Sequence, residues 1–166
     1  MKEFLGEGKY LRLVRRKNWE FVERHNLTGI VAVVGTTRKQ ELVLVEQYRE
    51  PVQARVIELP AGLAGDTGGA ESFETAARRE LEEETGYTAT RLTELGAFPA
   101  SPGAISEVVT FFRAKSLKKV GAGGGDASED IVVHLVPVDE VDRWLKRKAK
   151  AGHLIDQKVW AGLYFV

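Results

Sequence analysis

The chain has 166 residues, 43% of them hydrophobic and none a cysteine, enough for one domain with a sizeable core and too short for two comfortable ones. Lysine plus arginine equals aspartate plus glutamate at 24 each, so no general attraction to nucleic acid or to an anionic membrane is expected, and partners must be recognised locally. No basic-then-apolar leader follows Met1 and no apolar run approaches bilayer length, which predicts a soluble cytoplasmic protein.

In chain order, residues 1–27 alternate apolar and polar side chains around Leu11 to Val14 and Trp19 to Val22, the pattern of an N-terminal group of strands. Trp19 and Phe21 fall on one side of the second of these. β-rich runs follow at Ile30 to Val34 and Leu42 to Val45, joined by a polar connection from Gly35 to Gln40. Val56 to Leu59 reads as a short strand that ends at Pro60, Ala61 and Gly62. A helix follows, then strands at Leu92 to Phe98, Val108 to Phe112 and Ile131 to Val136, with a glycine-rich loop from Gly121 to Ser128 before the last. Val141, Trp144 and Leu145 recur at helical spacing, and Gln157 to Tyr164 makes a second terminal helix. The order describes a single α/β domain over 1–166, a mixed sheet with helices on its faces.

The helix after Gly62 is the most informative element. Residues 65–87 hold seven acids against two arginines. On a helical wheel Phe73, Ala76, Ala77 and Leu81 share one arc, and Glu80 and Glu84 fall inside it. A solvated acidic face would put its charges opposite the apolar stripe. Carboxylates that point where the core points must be paired or bind a cation, because burying them uncompensated is costly. Arg79 lies four residues before Glu83 on the same side and would orient the acids. Gly86, just past the last turn, suits a left-handed helix stop.

The window fits Gly-x5-Glu-x7-Arg-Glu-U-x-Glu-Glu-x-Gly-U, with U apolar or aromatic, through Gly65, Glu71, Arg79, Glu80, Leu81, Glu83, Glu84, Gly86 and Tyr87. This resembles the Nudix box. The resemblance implies a Nudix α/β/α sandwich with a mixed sheet and an N-terminal strand extension. It makes Glu80, Glu83, Glu84 and the backbone carbonyl of Ala61 metal ligands, and Glu71 a supporting residue. Oxygen ligands clustered without histidine or cysteine favour Mg²⁺, with Mn²⁺ as the substitute, over zinc or copper. A divalent ion on such acids can neutralise a diphosphate and activate a water, so diphosphate hydrolysis is the expected chemistry.

The resemblance extends past the box. Arg49, in Glu46-Gln47-Tyr48-Arg49 ahead of Glu58-Leu59-Pro60-Ala61-Gly62, sits where ADP-ribose and sugar-nucleotide hydrolases carry a phosphate-contacting arginine. Taken alone it reads as a surface ion-pair partner, and Arg55 is a further candidate of the same kind. Ser101, Pro102 and Gly103 followed by Glu107 resemble the Ser-Pro-Gly-x-x-x-Glu segment of ADP-ribose pyrophosphatases, which implies substrate contact where the bare tripeptide implies only a tight turn. Gly125 to Ile131 aligns with a loop whose usual pattern is Glu-x-Glu. Here Ala127 replaces the first acid, and Glu129 keeps the second, metal-linked position. The general base is therefore sought among Glu83, Asp126 and Glu129. The segment Leu63 to Ala70 is longer than the usual link and is expected to alter the substrate entrance. Related enzymes use N-terminal strands to build a homodimer and hold the base, so Trp19 is a candidate for stacking on a nucleobase. The expected substrate is ADP-ribose or a related nucleotide sugar. Dinucleoside polyphosphates or nucleoside triphosphates are the alternative substrates, and an ADP-ribose-binding domain without catalysis is the alternative role.

Overall fold

A computed structural model describes residues 2–25, 28–65, 71–125 and 130–166. Three antiparallel strands, β1 (Lys2–Glu7), β2 (Leu11–Arg16) and β3 (Trp19–Arg24), form the N-terminal extension as a sheet of their own. Among the described residues the second sheet is mixed and has nine strands: β4 (Gly29–Thr37), β5 (Glu41–Arg49), β6 (Ala54–Glu58), β7 (Ala61–Ala64), β8 (Tyr87–Thr88), β9 (Leu92–Pro99), β10 (Val108–Lys119), β11 (Val132–Pro137) and β12 (Leu154–Ile155). Pairing is parallel for β10 with β4 and for β12 with β6, and antiparallel elsewhere. Helix α1 (Phe73–Thr85) covers one face, and α2 (Val141–Lys150) and α3 (Gln157–Leu163) cover the other.

Strand periodicity produces the two cores. Val31 and Val33 of β4 pack with Ala76, Ala77 and Leu81 of α1, whereas Ala32 and Val34 pack with Leu145 of α2 and Val159 of α3. A strand buried on both faces reads as a continuous apolar run, as Ile30 to Val34 does. The expected α/β/α sandwich with a mixed sheet and an N-terminal strand extension is what the chain forms.

Three local expectations change. The predicted connection at Gly35 to Gln40 begins later, because Gly35 and Thr36 stay in β4 and pair with Val43 and Leu42. Ala61 and Gly62 are not only a turn after Pro60: they open β7, which pairs with the first half of β4. The first residues of the glycine-rich loop are tied down. Val120 and Gly121 donate to Gly86 O, Gly124 to Glu84 O and Gly125 to Glu83 O, so this segment caps the carbonyl end of α1. A Cβ at Gly86 or Gly123 would run into the opposing backbone, which is why glycine faces glycine here.

These pairings split the large sheet. β4 and β5 are paired directly only at Gly35–Val43 and Thr36–Leu42. Beyond that point β5 turns to β6 and β4 to β7. Pro60, between β6 and β7, fills the apex, its carbonyl accepting the Val33 N–H. A wedge opens between a β5–β6–β12 wall and a β7–β4–β10 wall.

On the α2 side lies a buried polar node. Glu46, 6% exposed, receives hydrogen bonds from Arg55 Nε at 2.6 Å, Lys148 Nζ at 2.7 Å and His134 Nε2 at 2.9 Å, with His153 Nε2 at 3.3 Å. Burial pushes its carboxyl up, but the bonds from Lys148, His134 and Arg55 outweigh this and hold it at about 2, against an ordinary 4.5. His134 is depressed, first by burial, with Glu46 pulling the other way. Both shifts weaken the fold in acid. The stabilisation from Glu46 is complete above pH 4.5 and is lost as pH falls through about 2, and the neutral His134 opposes protonation below its ordinary 6.5. The expected result is that Glu46→Gln lowers unfolding free energy at pH 7 by on the order of 3 kcal/mol and flattens its decline between about pH 5 and pH 2. Denaturant titrations across that range check it, and a variant with the parent's slope would refute the assignment.

Candidate active site

Helix α1 starts at Ser72, whose Oγ accepts the Thr75 N–H at 3.1 Å, and stops at Gly86 with φ 69°. These caps set the phase of the acids. Glu80 and Glu84 are buried with Ala76, Ala77 and Leu81, as the wheel requires. Glu83, with its side chain 55% exposed, stands beside them at the mouth of the wedge.

Arg79 organises the group. Its Nε donates to Glu71 Oε1 at 3.0 Å, and its Nη1 donates to Glu80 Oε1 at 2.9 Å and Glu83 Oε2 at 3.0 Å. Nη2 reaches Leu63 O at 2.9 Å and Glu71 Oε2 at 3.2 Å. Glu71 holds the guanidinium most strongly in its charged form, and Glu80 and Glu83 add to this. The Glu71 carboxyl is in turn held below its usual range, chiefly by Arg79 and also by the Gly65 N–H. The supporting role expected of Glu71 thus has a geometry: it fixes Arg79, and Arg79 fixes Glu80 and Glu83. On the facing strand the Ala61 N–H donates to Glu84 Oε2 at 3.0 Å. A Cβ at Gly62 would coincide with the Glu80 carboxylate, so a bare backbone there is what lets the acid lie against β7.

The acids line a cleft of about 1170 Å³ set in the wedge, slightly more than the roughly 300–1,000 Å³ of ordinary small-molecule pockets. Arg49 is on one wall. Its Nε and Nη2 grip Glu58 Oε1 and Oε2 at 2.7 and 2.8 Å, a bidentate pair that orients the guanidinium with nearly half of it exposed. Glu107 is on the other wall and takes a 3.0 Å bond from Arg24 Nε. Arg55 does not line the cleft: it serves Glu46 and Asp130.

Ser101, Pro102 and Gly103 form an exposed turn in which Ser101 O accepts the Ala104 and Ile105 N–H groups. The turn is stitched to β3 through Val22 N–H to Ala104 O and Ser106 N–H to Val22 O. Ala100 and Glu107, on either side of it, line the cleft. Trp19 lies on the N-terminal sheet beside Gly103, 62% exposed, outside the cleft of its own chain. Asp126, Ala127 and Glu129 lie outside the described residues, as does the entrance loop beyond Gly65.

Three carboxylates and a backbone carbonyl are an all-oxygen donor set that suits a hard divalent cation. Among the described residues no three acidic or histidine side chains converge on a ready-made cage. The acids are instead drawn onto Arg79 and the Ala61 N–H, so binding a cation there means exchanging some of those bonds. Arg24 and Glu58 escaped sequence reasoning. Glu58 carries a signal in hindsight, as the acid that opens Glu-Leu-Pro-Ala-Gly; Arg24 carries none, since its partner is 83 residues away.

A sequence profile of the NUDIX domain matches residues 25–157. The chain is 39% identical over 121 residues to a methanol dehydrogenase activator of Bacillus methanolicus, covering 72% of this chain and 64% of that protein. It is 45% identical over 89 residues to an ADP-ribose pyrophosphatase of Bacillus subtilis (strain 168), covering 54% and 46%. With a GDP-mannose pyrophosphatase of Enterobacter sp. (strain 638) it shares 31% over 142 residues, covering 81% and 71%. A crystal structure of an ADP compounds hydrolase superposes with a TM-score of 0.69 at 22% identity, over 88% of this chain and 80% of that one, a likeness of fold. The chain belongs to the Nudix hydrolase family. It spans 64% and 46% of the length of the first two relatives.

Proposed function

We propose that the chain hydrolyses the diphosphate of ADP-ribose or a related nucleoside diphosphate sugar to a nucleoside monophosphate and a sugar phosphate, with Mg²⁺ as cofactor and Mn²⁺ as its substitute. The observation that carries this reading is one cleft lined by Glu80, Glu83 and Glu84 together with the Glu58-clamped Arg49. The named activities of the B. subtilis and Enterobacter relatives agree with it.

In the reaction water adds to one phosphorus, the bridging P–O bond breaks, and the proton of the water passes to a base. Glu80, Glu83, Glu84 and the Ala61 carbonyl would hold the cation, which supplies charge neutralisation of the diphosphate and acidification of the attacking water. Arg49 presents its guanidinium to phosphate oxygens in an orientation set in advance by Glu58, so little ordering is left to be done on binding. Arg79 positions Glu80 and Glu83. Of the three cleft-lining acids of the helix Glu83 is the exposed one and the described candidate for the base, with Glu129 and Asp126 the others.

Incubation with ADP-ribose, ADP-glucose and GDP-mannose plus Mg²⁺, with products resolved by chromatography, tests the proposal. Failure to cleave any of the three above background sinks it, and cleavage of only dinucleoside polyphosphates or nucleoside triphosphates transfers it to those substrates. A homodimer belongs to the same reading. The N-terminal strands leave Phe4, Leu13 and Trp19 exposed, with Tyr10 in the connection before β2, apolar surface for a second copy to cover. A sedimentation mass of one 18.4 kDa chain at micromolar concentration would refute the dimer.

A further inference from the structure

The wedge that holds the cleft is open by construction, because its walls belong to differently paired halves of the sheet. One wall carries Arg49, Glu58 and Val56, and the other carries Ile30, Val109 and Glu107. The two are joined at the apex by Val33 N–H to Pro60 O. Far from the apex, a side chain spans the gap. Gln157, the first residue of α3, donates its Nε2 to the carbonyl of Ala100 at 2.7 Å, and both residues line the cleft.

Each end of this bond is anchored to a different wall. Asp156, just before Gln157, donates its N–H to Ile57 O of β6 at 2.9 Å and caps α3 by accepting the Lys158 N–H at 2.6 Å. Ala100 donates its own N–H to Glu107 O at 3.1 Å, at the start of β10. The Phe98 and Phe165 rings, 6.2 Å apart, are a second and apolar tie on the same flank. The separation of the Arg49 wall from the Ala100–Glu107 wall is therefore set at the open end by this amide, the polar tie, together with the ring pair. Since Ala100 O is an acceptor, the amide nitrogen must face it, which leaves Gln157 Oε1 as an acceptor.

We propose that Gln157 is a positioning residue of the cleft: latched to Ala100, it sets the distance between the two walls and thereby which nucleoside diphosphate derivatives fit. The proposal rests on the hydrolase reading above and adds to it the residue that tunes substrate choice. The described lining residues of the cleft include no aromatic side chain to stack on a base, which gives its width and the polar groups at its edges the larger part in selectivity.

The test uses the full chain with Gln157→Leu, which removes the donor, and Gln157→Glu, which keeps the shape and sets a carboxylate against the carbonyl. Asp156 still caps α3 in both. Against ADP-ribose, ADP-glucose and GDP-mannose, each variant is expected to raise KM for the best substrate about fivefold, the worth of one hydrogen bond, with kcat within about twofold of the parent. The ranking of kcat/KM across the three is expected to flatten. Without any substrate, the Ala104 and Ile105 amides, which close the turn after Ala100, are expected to exchange hydrogen faster in Gln157→Leu. An active parent whose variants keep its KM values, its substrate ranking and its amide protection overturns the latch, as does a fall in kcat at constant KM. If the parent cleaves none of the three, the hydrolase reading fails by itself, and the exchange measurement alone then decides whether Gln157 holds the wall.

Discussion

Replacing Glu84 with glutamine is expected to lower turnover on the order of a thousandfold, about 4 kcal/mol of transition-state stabilisation, while leaving the fold intact. Glu84 is 4% exposed, and its Oε2 already accepts the Ala61 N–H at 3.0 Å. A glutamine keeps the size and one acceptor oxygen, so α1 continues to pack on β7. It removes a negative charge that a cation needs on the cleft lining. Steady-state hydrolysis of ADP-ribose in Mg²⁺, together with a thermal melt, separates the two effects. A variant within tenfold of the parent would show that Glu84 is structural.

Arg79→Met is the second large effect, and it strikes the fold as well as the chemistry. Among the described residues the guanidinium donates to both Glu71 oxygens and to Glu80, Glu83 and the Leu63 carbonyl. With it gone, the nearly buried Glu71 and Glu80 keep their charges without that partner, and breaking a buried ion pair from one side costs about 3–5 kcal/mol. The loss is expected at neutral pH and shrinks toward pH 4, where the orphaned carboxylates take up protons. Denaturant unfolding at the two pH values checks it. A loss under about 1 kcal/mol at pH 7 would mean that Arg79 is a bystander of the acids. Arg79→Lys should recover only part, since an ammonium cannot serve the far-side Glu71 and the near-side Glu80 and Glu83 together.

Much of this site could be read from residues close in sequence. The phase of Glu80 and Glu84 against Ala77 and Leu81 follows from 3.6 residues per turn, and the continuous apolar run at Ile30 to Val34 is what a strand covered on both faces requires. Contacts that depend on how distant elements meet left no local trace. Glu46 and Lys148 are 102 residues apart, Arg24 and Glu107 are 83 apart, and Gln157 and Ala100 are 57 apart. Each of these groups, the Ala100 carbonyl included, is unremarkable among its neighbours and becomes informative only through its partner. The β7 strand was hidden for a different reason. Pro-Ala-Gly is turn chemistry, and only the exposed edge of β4 turns Ala61 and Gly62 into a strand.

The split of the sheet bears on how such a chain can change over generations. The acids stand on a helix laid across the wedge, and their geometry is guarded by Arg79, Glu71 and the bare backbone of Gly62. The two walls below hang from separate strand pairings and share few bonds. Substitutions at the open end, away from Ala61, Gly62 and Leu63, therefore leave the contacts that hold the acids in place. Descendants of one ancestor can drift in what they cleave without losing the means of cleaving it, and the most economical place to look for that drift is the open end of the wedge, at Ala100, Leu154 and Gln157.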